Sequence, residues 1–318
     1  MEIVSSVISP RYIVKQVSKS YYIDEIINCE LLQSAINDIY KIETATQSYI
    51  LKLYKYNYKD KSEIMFEFKF LSYLNSLDID VVNYIETINK NFMLEINAYE
   101  GIRYAVLMNF IDGEELDYRF NENAFLYGAN VAKIHKASKT FTPNKKTKEI
   151  NIDLMIKESI QSIENFLKKY YVAELKYFQY FFNFLLKKIK NIKLNDLEKT
   201  FCHGDLHGGN AHKNLNKIIF FDFDFSGYGV VSYDISVFRW GCIINKREEQ
   251  WKDFIKGYKT IKKLDDKDLS NSLIFVAIRD LWIMHLYISR IKNDGILFIH
   301  KYYIQSRKKF LKDLEKQI

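Results

Sequence analysis

Only 2 prolines and 11 glycines occur in 318 residues, which excludes proline-rich or glycine-rich linkers and collagen-like segments. Three cysteines, Cys29, Cys202 and Cys242, are odd in number and widely spaced. They supply no disulfide framework and no metal-binding pattern. The first residues, Met1-Glu-Ile-Val-Ser-Ser, lack the basic start and apolar stretch of a signal peptide. The longest apolar runs, such as Tyr177 to Leu186, are short and polar-flanked for a bilayer span. A cytoplasmic location without membrane association is the expectation. Positive charge is in modest excess, 47 Lys and Arg against 40 Asp and Glu. No short window is purely basic, so nucleic-acid binding is not expected. There is no internal repeat, and nothing in the sequence bears on oligomeric state.

What is present is apolar and aromatic: 48% hydrophobic residues and 16% Phe, Trp and Tyr. That composition predicts packed interiors in a chain long enough for two lobes. The few glycines cluster at 204–209 and 227–229. The first cluster lies in Phe201-Cys-His-Gly-Asp-Leu-His-Gly-Gly-Asn210, which sets Asp205 and Asn210 five residues apart in a Gly-rich loop. The apolar run Ile218-Ile-Phe-Phe-Asp-Phe-Asp224 follows and delivers Asp222 and Asp224. Carboxylates in an apolar strand are costly unless paired or bound to metal. A carboxylate base beside hard oxygen ligands suits phosphoryl transfer with Mg²⁺.

Ahead of this loop, a short helix is expected near Ile13 to Val17, then strands Glu30–Ile36, Ile39–Thr44 and Ser48–Lys55. The third strand alternates, with Ile50, Lys52 and Tyr54 on one face and Leu51 and Leu53 on the other. Lys52 then reads either as an edge-strand lysine that deters aggregation or as a working cation. A helix over 62–77, with Ser62 as N-cap, carries the stripe Ile64, Phe68, Leu71, Leu74. Glu67 interrupts that stripe and wants a cation, for which Lys52 is the candidate. Asn91–Glu100 and Ile102–Phe110 read as a hairpin. The change from Tyr104–Phe110 to the acidic Ile111–Glu115 marks a candidate hinge between lobes 1–110 and 111–318. Beyond it helices are expected at 123–138, 152–169, 173–191, 233–245, 247–261, 266–291 and 299–316.

Taken together, Ser48–Tyr54, Glu67–Leu71, Val106–Gly113, Gly128–His135, His203–Asn210 and Phe221–Asp224 through Tyr233-Asp-Ile-Ser236 resemble the aminoglycoside phosphotransferase and choline kinase-like superfamily. The resemblance covers nearly the whole chain and implies an α+β, two-lobed protein-kinase-like fold, with an antiparallel sheet and helix first and a mainly helical part after. It implies Asp205 as the catalytic aspartate that orients the acceptor hydroxyl and takes its proton. Asn210 and Asp222 are then Mg²⁺ ligands, and Asp224, on the same face of an extended strand as Asp222, is a possible further ligand. Lys52 matches the phosphate-binding lysine and Glu67 its helix partner, while Met108, Asn109 and Phe110 match the segment that meets adenine. His203 matches a loop-bracing histidine, and His207 is expected to make a local loop hydrogen bond. Asp234 matches a residue that supports the loop.

Two departures narrow the expectation. The first hairpin, Leu31–Ile39, has no glycine, so Ser34 and Asn37 are left as possible phosphate donors and ATP is not distinguished from GTP. No long activation segment lies between Asp222 and Asp234, which favours a small hydroxyl-bearing acceptor over a protein. For a cationic acceptor the sequence offers Asp112, Glu114, Glu115 and Asp117, or Asp265, Asp266 and Asp268, each otherwise a solvated surface group. Arg279 could meet an acidic acceptor group, or could brace Asp280 or a helix end. Three functions fit: an ATP- or GTP-dependent kinase for an aminoglycoside-type antibiotic or amino alcohol, a homoserine-type metabolic kinase, and a silent nucleotide-binding regulator.

Overall fold

The computed structural model describes residues 3–142, 148–215, 217–291, 295–296 and 299–318. Its contacts divide the chain into two units: the residues up to Glu115 with Ala211–Phe221, and Leu116–Asn210 with Asp222–Ile318. The division placed at residue 110 by sequence therefore falls after Glu115, and the segment after Asn210 goes with the first unit.

In the first unit, helix α1 (Pro10–Ser20) precedes strands β1 (Ile26–Ser34), β2 (Asn37–Thr44) and β3 (Ser48–Tyr54), helix α2 (Lys61–Ser76), and strands β4 (Leu94–Ala98) and β5 (Gly101–Asn109). The strands form an antiparallel sheet in the order β1-β2-β3-β5-β4. Leu51 and Leu53 of β3 join Tyr40, Ile42 and Leu107 and the buried Ile13 and Val17 of α1 in one core. Alternation puts Lys52 on the opposite face. It is 5% exposed and paired in register with Ile39 on one side and Val106 on the other. An internal strand excludes the edge-lysine reading. Short strands β6 (Glu114–Glu115), β8 (Ala211–Asn214) and β9 (Lys217–Phe220) complete the unit.

α2 starts one residue earlier than the sequence suggested, and its cap is Asp60, not Ser62. Asp60 accepts from the Glu63 N–H at 2.8 Å while Glu63 accepts from the Asp60 N–H at 3.1 Å. This reciprocal box satisfies two orphan donors, and Ser62 only donates its hydroxyl to Asp60.

The second unit holds α3 (Asn121–Ser138), α4 (Ile152–Tyr170), α5 (Val172–Lys190), α6 (Val231–Ile244), α7 (Glu248–Ile261), α8 (Asp266–Ser270), α9 (Ser272–Ser289) and α10 (Lys301–Glu315), with β7 (Lys199–Cys202) and β10 (Gly227–Val230) as an antiparallel ribbon. The single helix expected over 266–291 is two, separated at Asn271. α3 and α7 approach backbone to backbone. A Cβ at Gly128 would strike the Phe254 carbonyl oxygen, and one at Gly257 would strike that of Phe125.

α9 is apolar and long enough to cross a membrane by length and composition, yet 56% of it is buried inside the fold, where it packs on α4 and α6. Arg279, Asp280 and Trp282 interrupt its apolar run. Also on α9, His285 Nδ1 lies 2.9 Å from the Ser162 hydroxyl of α4, and burial pushes its imidazole below the ordinary value of 6.5. The unfolded chain therefore binds the extra proton first. The stability this neutral histidine contributes is complete above pH ~6.5 and drains away as pH falls toward the folded value. Melting temperatures of wild type and His285→Gln between pH 7.5 and 5 check this. The wild type is expected to lose more on acidification; parallel losses would assign the dependence to other groups.

Candidate active site

The loop after β7 is fixed by hydrogen bonds within the second unit. β7 pairs with β10 from Cys202↔Gly227 to Lys199↔Val230, so the ribbon ties the start of the loop to the chain returning from Asp224. Gly204 sits at φ +82° with the Phe225 carbonyl oxygen where a Cβ would be. Only glycine meets both demands. Asp234, in the first turn of α6, accepts from the His203 and Gly204 N–H groups, each at 2.8 Å. The same carboxylate accepts from His135 Nε2 at 2.9 Å, and His135 Nδ1 lies 2.9 Å from the Tyr258 hydroxyl. His135, Cys202 and Asp234 place ligand atoms within 4.8 Å of one another. Both imidazole nitrogens and both carboxylate oxygens are already bonded, so the cluster is a brace and not a metal centre.

His203 supports the loop as the resemblance implied. Its ring packs 4.2 Å from that of Phe223, and its Nδ1 accepts from the Asp205 N–H at 3.3 Å. His207 makes the local bond expected of it, accepting at Nδ1 from the Gly209 N–H at 3.0 Å. Tyr127 and Tyr118 donate to the carbonyls of His207 and Gly208, each at 3.2 Å.

Asp205 is 8% exposed. Its Oδ1 accepts from Arg279 Nη2, its Oδ2 accepts from Asn210 Nδ2 at 3.2 Å, and His207 Nε2 is 3.7 Å from Oδ2. Burial alone would raise this carboxyl. Arg279, His207, His203 and Asn210 outweigh it and hold Asp205 below the usual carboxylate range. It is thus ionised at neutral pH and able to accept a proton. The second bond of Asn210 Nδ2, to the Asp205 carbonyl at 2.9 Å, turns the amide so that Oδ1 is the atom left to ligate a cation.

Asp222 and Asp224 do not share a strand face. β9 ends at Phe220, and Asp222 lies in the left-handed region at φ +62°. An L-residue held there is strained by ~1 kcal/mol or more, a cost concentrated at functional positions. Asp224 is buried, in a turn, with its carbonyl accepting from Lys148 at 3.1 Å. Asn210, Asp222 and Asp224 are all oxygen donors, the chemistry Mg²⁺ requires.

In the first unit, Glu67 is buried and takes Lys59 and the Tyr84 hydroxyl, the latter at 2.6 Å. Sequence reading missed Lys59, which sits in a turn with no spacing rule to flag it. The Lys52 ammonium lies 5.4 Å from the Tyr54 ring centroid. Ser34, considered as a phosphate donor, donates instead to Asp38 at 2.6 Å. Asp38 also takes Lys55 and the buried Arg103, each at 2.6 Å. Asn37 opens β2 opposite Tyr54. Met108 pairs with Ile50, and the N–H groups of Asn109 and Phe110 donate to Asn83 and Ser48 carbonyls at 3.2 Å.

Three of the seven acidic groups offered for a cationic acceptor have side-chain partners. Asp117 pairs with Arg119 at 2.7 Å, Asp265 lies 3.3 Å from Lys263, and Asp268 accepts from Ser232 at 2.8 Å. Glu114 and Glu115 are exposed on β6.

A lysine on an internal strand, a glutamate on the next helix, and an Asp-x-x-x-x-Asn loop followed by Asp222 are the residues on which the resemblance to phosphotransferases rests. The model of the phosphotransferase enzyme family matches residues 28–266, and the chain belongs to that family. An uncharacterised protein of Synechocystis sp. is 25% identical over 314 residues, 98% of this chain and 87% of that protein. Among solved structures, an amicoumacin kinase in complex with AMP-PNP, Ca²⁺ and its antibiotic superposes with a TM-score of 0.79 at 20% identity, over 98% of this chain and 94% of that one. A microcompartment-associated aminopropanol kinase superposes with a TM-score of 0.77 at 17% identity, over 96% and 95%.

Proposed function

We propose that the protein transfers the γ-phosphate of ATP or GTP to a hydroxyl of a small aminated acceptor, of the kind represented by amino alcohols and aminated antibiotics. The observation that carries this reading is Asp205, ionised, buried and aligned by Asn210 and Arg279 in a loop clamped by Asp234. The acceptor hydroxyl oxygen forms the new bond to phosphorus as the bond from the β,γ-bridging oxygen breaks. The nucleoside diphosphate leaves with that electron pair, and the hydroxyl proton passes to Asp205. A base of low basicity suffices because the transition state is loose and positioning carries most of the rate.

Asn210 and Asp222, with Asp224 as a further oxygen donor, would hold Mg²⁺, which when bound neutralises charge on the nucleotide phosphates. Lys52 would meet the phosphates. Only twelve residues run from Asp222 to Asp234, and α6 begins at Val231, which leaves no activation segment for docking a protein substrate. The names of two structural neighbours, an amicoumacin kinase and an aminopropanol kinase, support an aminated small acceptor. Dependence on a nucleoside triphosphate fits a cytoplasmic site of action.

Mg-ATP or Mg-GTP is expected to raise the melting temperature by several degrees, since ligand at ~100 times its Kd adds about 2.7 kcal/mol. Stabilisation by neither nucleotide would sink the reading. Asp222→Ala is expected to shift the Mg²⁺ concentration needed for half-maximal turnover upward by ~10-fold or more, as loss of a metal-site carboxylate does. An unchanged Mg²⁺ requirement would exclude Asp222 as a ligand.

A further inference from the structure

Arg279 lies on α9, 2% exposed. Of the roles open to it from sequence, bracing Asp280 is not the one it takes. Asp280 Oδ1 accepts from Trp240 Nε1 at 2.9 Å and from Arg307 Nη1 at 2.7 Å. Arg279 instead sends Nη2 to Asp205, and its guanidinium lies 5.6 Å from the Trp240 ring centroid. Nε and Nη1 are buried and make no hydrogen bond to the described residues. Three N–H donors of a fixed-charge group are thus held next to the catalytic base without a hydrogen-bond acceptor among the described residues, the nearby Tyr233 interacting electrostatically with the guanidinium. Buried polar groups in native folds are almost always satisfied, and an exception beside a reacting group points to a ligand atom.

The group that satisfies a guanidinium is an oxyanion, with a carboxylate matching its planar donors best. A lysine would offer a point charge; the conjugated plane against Trp240 offers directed donors at a set orientation. Several nearby carboxylates, by contrast, already bond other side chains. Asp268 bonds Ser232, Asp117 bonds Arg119, and Asp280 bonds Trp240 and Arg307 through Oδ1, its buried Oδ2 making no hydrogen bond among the described residues. We infer that Arg279 is an acceptor-binding residue that takes a carboxylate of the substrate, so that the compound phosphorylated is a hydroxy amino acid. This rests on the kinase reading above and narrows its acceptor class. In this arrangement Asp205 receives the hydroxyl at one end of a short acceptor while Arg279 fixes the carboxylate at the other. Arg279 then sets specificity as well as the ionisation of its neighbour.

The test measures nucleoside diphosphate release by the full chain with Mg-ATP and a panel of hydroxy amino acids of increasing length. Each acid is paired with its carboxamide and with the amino alcohol lacking the carboxyl group. At least one acid is expected to exceed its amide in kcat/KM by ~30-fold or more, the value of a charge-assisted hydrogen bond. In Arg279→Gln that preference should collapse through the KM of the acid, with Arg279→Lys intermediate. An unchanged Mg-ATP shift in melting temperature shows that each variant is folded. Turnover of amides, amino alcohols or aminoglycosides with no preference for any acid overturns the inference and leaves the kinase reading intact. A fall in kcat alike for all acceptors, with the acid-to-amide ratio preserved in Arg279→Gln, assigns Arg279 to the phosphoryl group or to the base alone and also overturns it. Absence of both nucleotide stabilisation and phosphorylation of any acceptor strikes the kinase reading itself, and this inference with it.

Discussion

Asp205→Asn is expected to lower turnover by at least ~100-fold, the contribution of a positioned proton acceptor, while leaving stabilisation by Mg-ATP in place. The amide matches the carboxylate in shape, so the loop bonds can largely persist: Arg279 can still donate to Oδ1, and the Asp205 carbonyl still takes Asn210. What disappears is the ability to receive a proton at a site where Arg279, above all, keeps the carboxylate ionised. Because that carboxyl is held below its ordinary range, base protonation should not limit turnover anywhere near neutrality. Steady-state turnover and thermal shift on the same preparation separate the two effects. Full turnover in the variant would remove Asp205 from the chemistry, and loss of nucleotide stabilisation would show that it acts in binding.

Asp234→Ala is expected to be the most damaging change to the fold of the site. The wild-type carboxylate is fully buried and accepts from the His203 N–H, the Gly204 N–H and His135 Nε2. Truncation leaves all three donors without that acceptor. Breaking a buried charged group away from its partners costs about 3–5 kcal/mol. For a body of this size that corresponds to a fall in melting temperature of roughly 6–20 °C. Asp234→Asn should recover only part of the loss, because an amide has one accepting atom and turns donors toward the others. Turnover should fall with stability, since Gly204 leads directly into Asp205. A variant that melts within ~1 °C of wild type with normal turnover would show that the ribbon of β7 and β10 holds the loop unaided.

Several of these features are legible in the sequence for physical reasons. Lys52 follows from strict alternation along β3, and Glu67 from an acidic residue set at helical spacing inside an apolar stripe. The Asp205 to Asn210 loop announces itself by glycine density in a glycine-poor chain. Other features leave no periodic trace. β7 and β10 are four residues each, too short to establish a pattern, and their pairing joins segments distant in sequence. The apolar run into Asp222 reads as continuous strand because hydrophobicity does not record where φ changes sign. Asp60 outcompeted Ser62 as the cap because Glu63 stands three positions after it and closes the box from the other side. Asn271 splits a helical pattern whose apolar residues continue on both sides. The Glu67 to Lys59 pair depends on how a turn folds back, which no spacing encodes.

The contact of α3 with α7 through Gly128 and Gly257 bears on the loop in a different way. His135 is carried by α3 and its hydrogen-bond partner Tyr258 by α7, so the distance between these helices sets the reach of the chain that ends on Asp234. Side chains absorb small errors by changing rotamer; peptide groups in direct contact have no rotamers to change. Each helix therefore acts as a hard stop for the other, and the alignment of Asp205 is referenced to main chain more than to packing. Core substitutions elsewhere in this unit should soften its stability well before they detune the loop. A single methyl group added at either glycine should do the reverse.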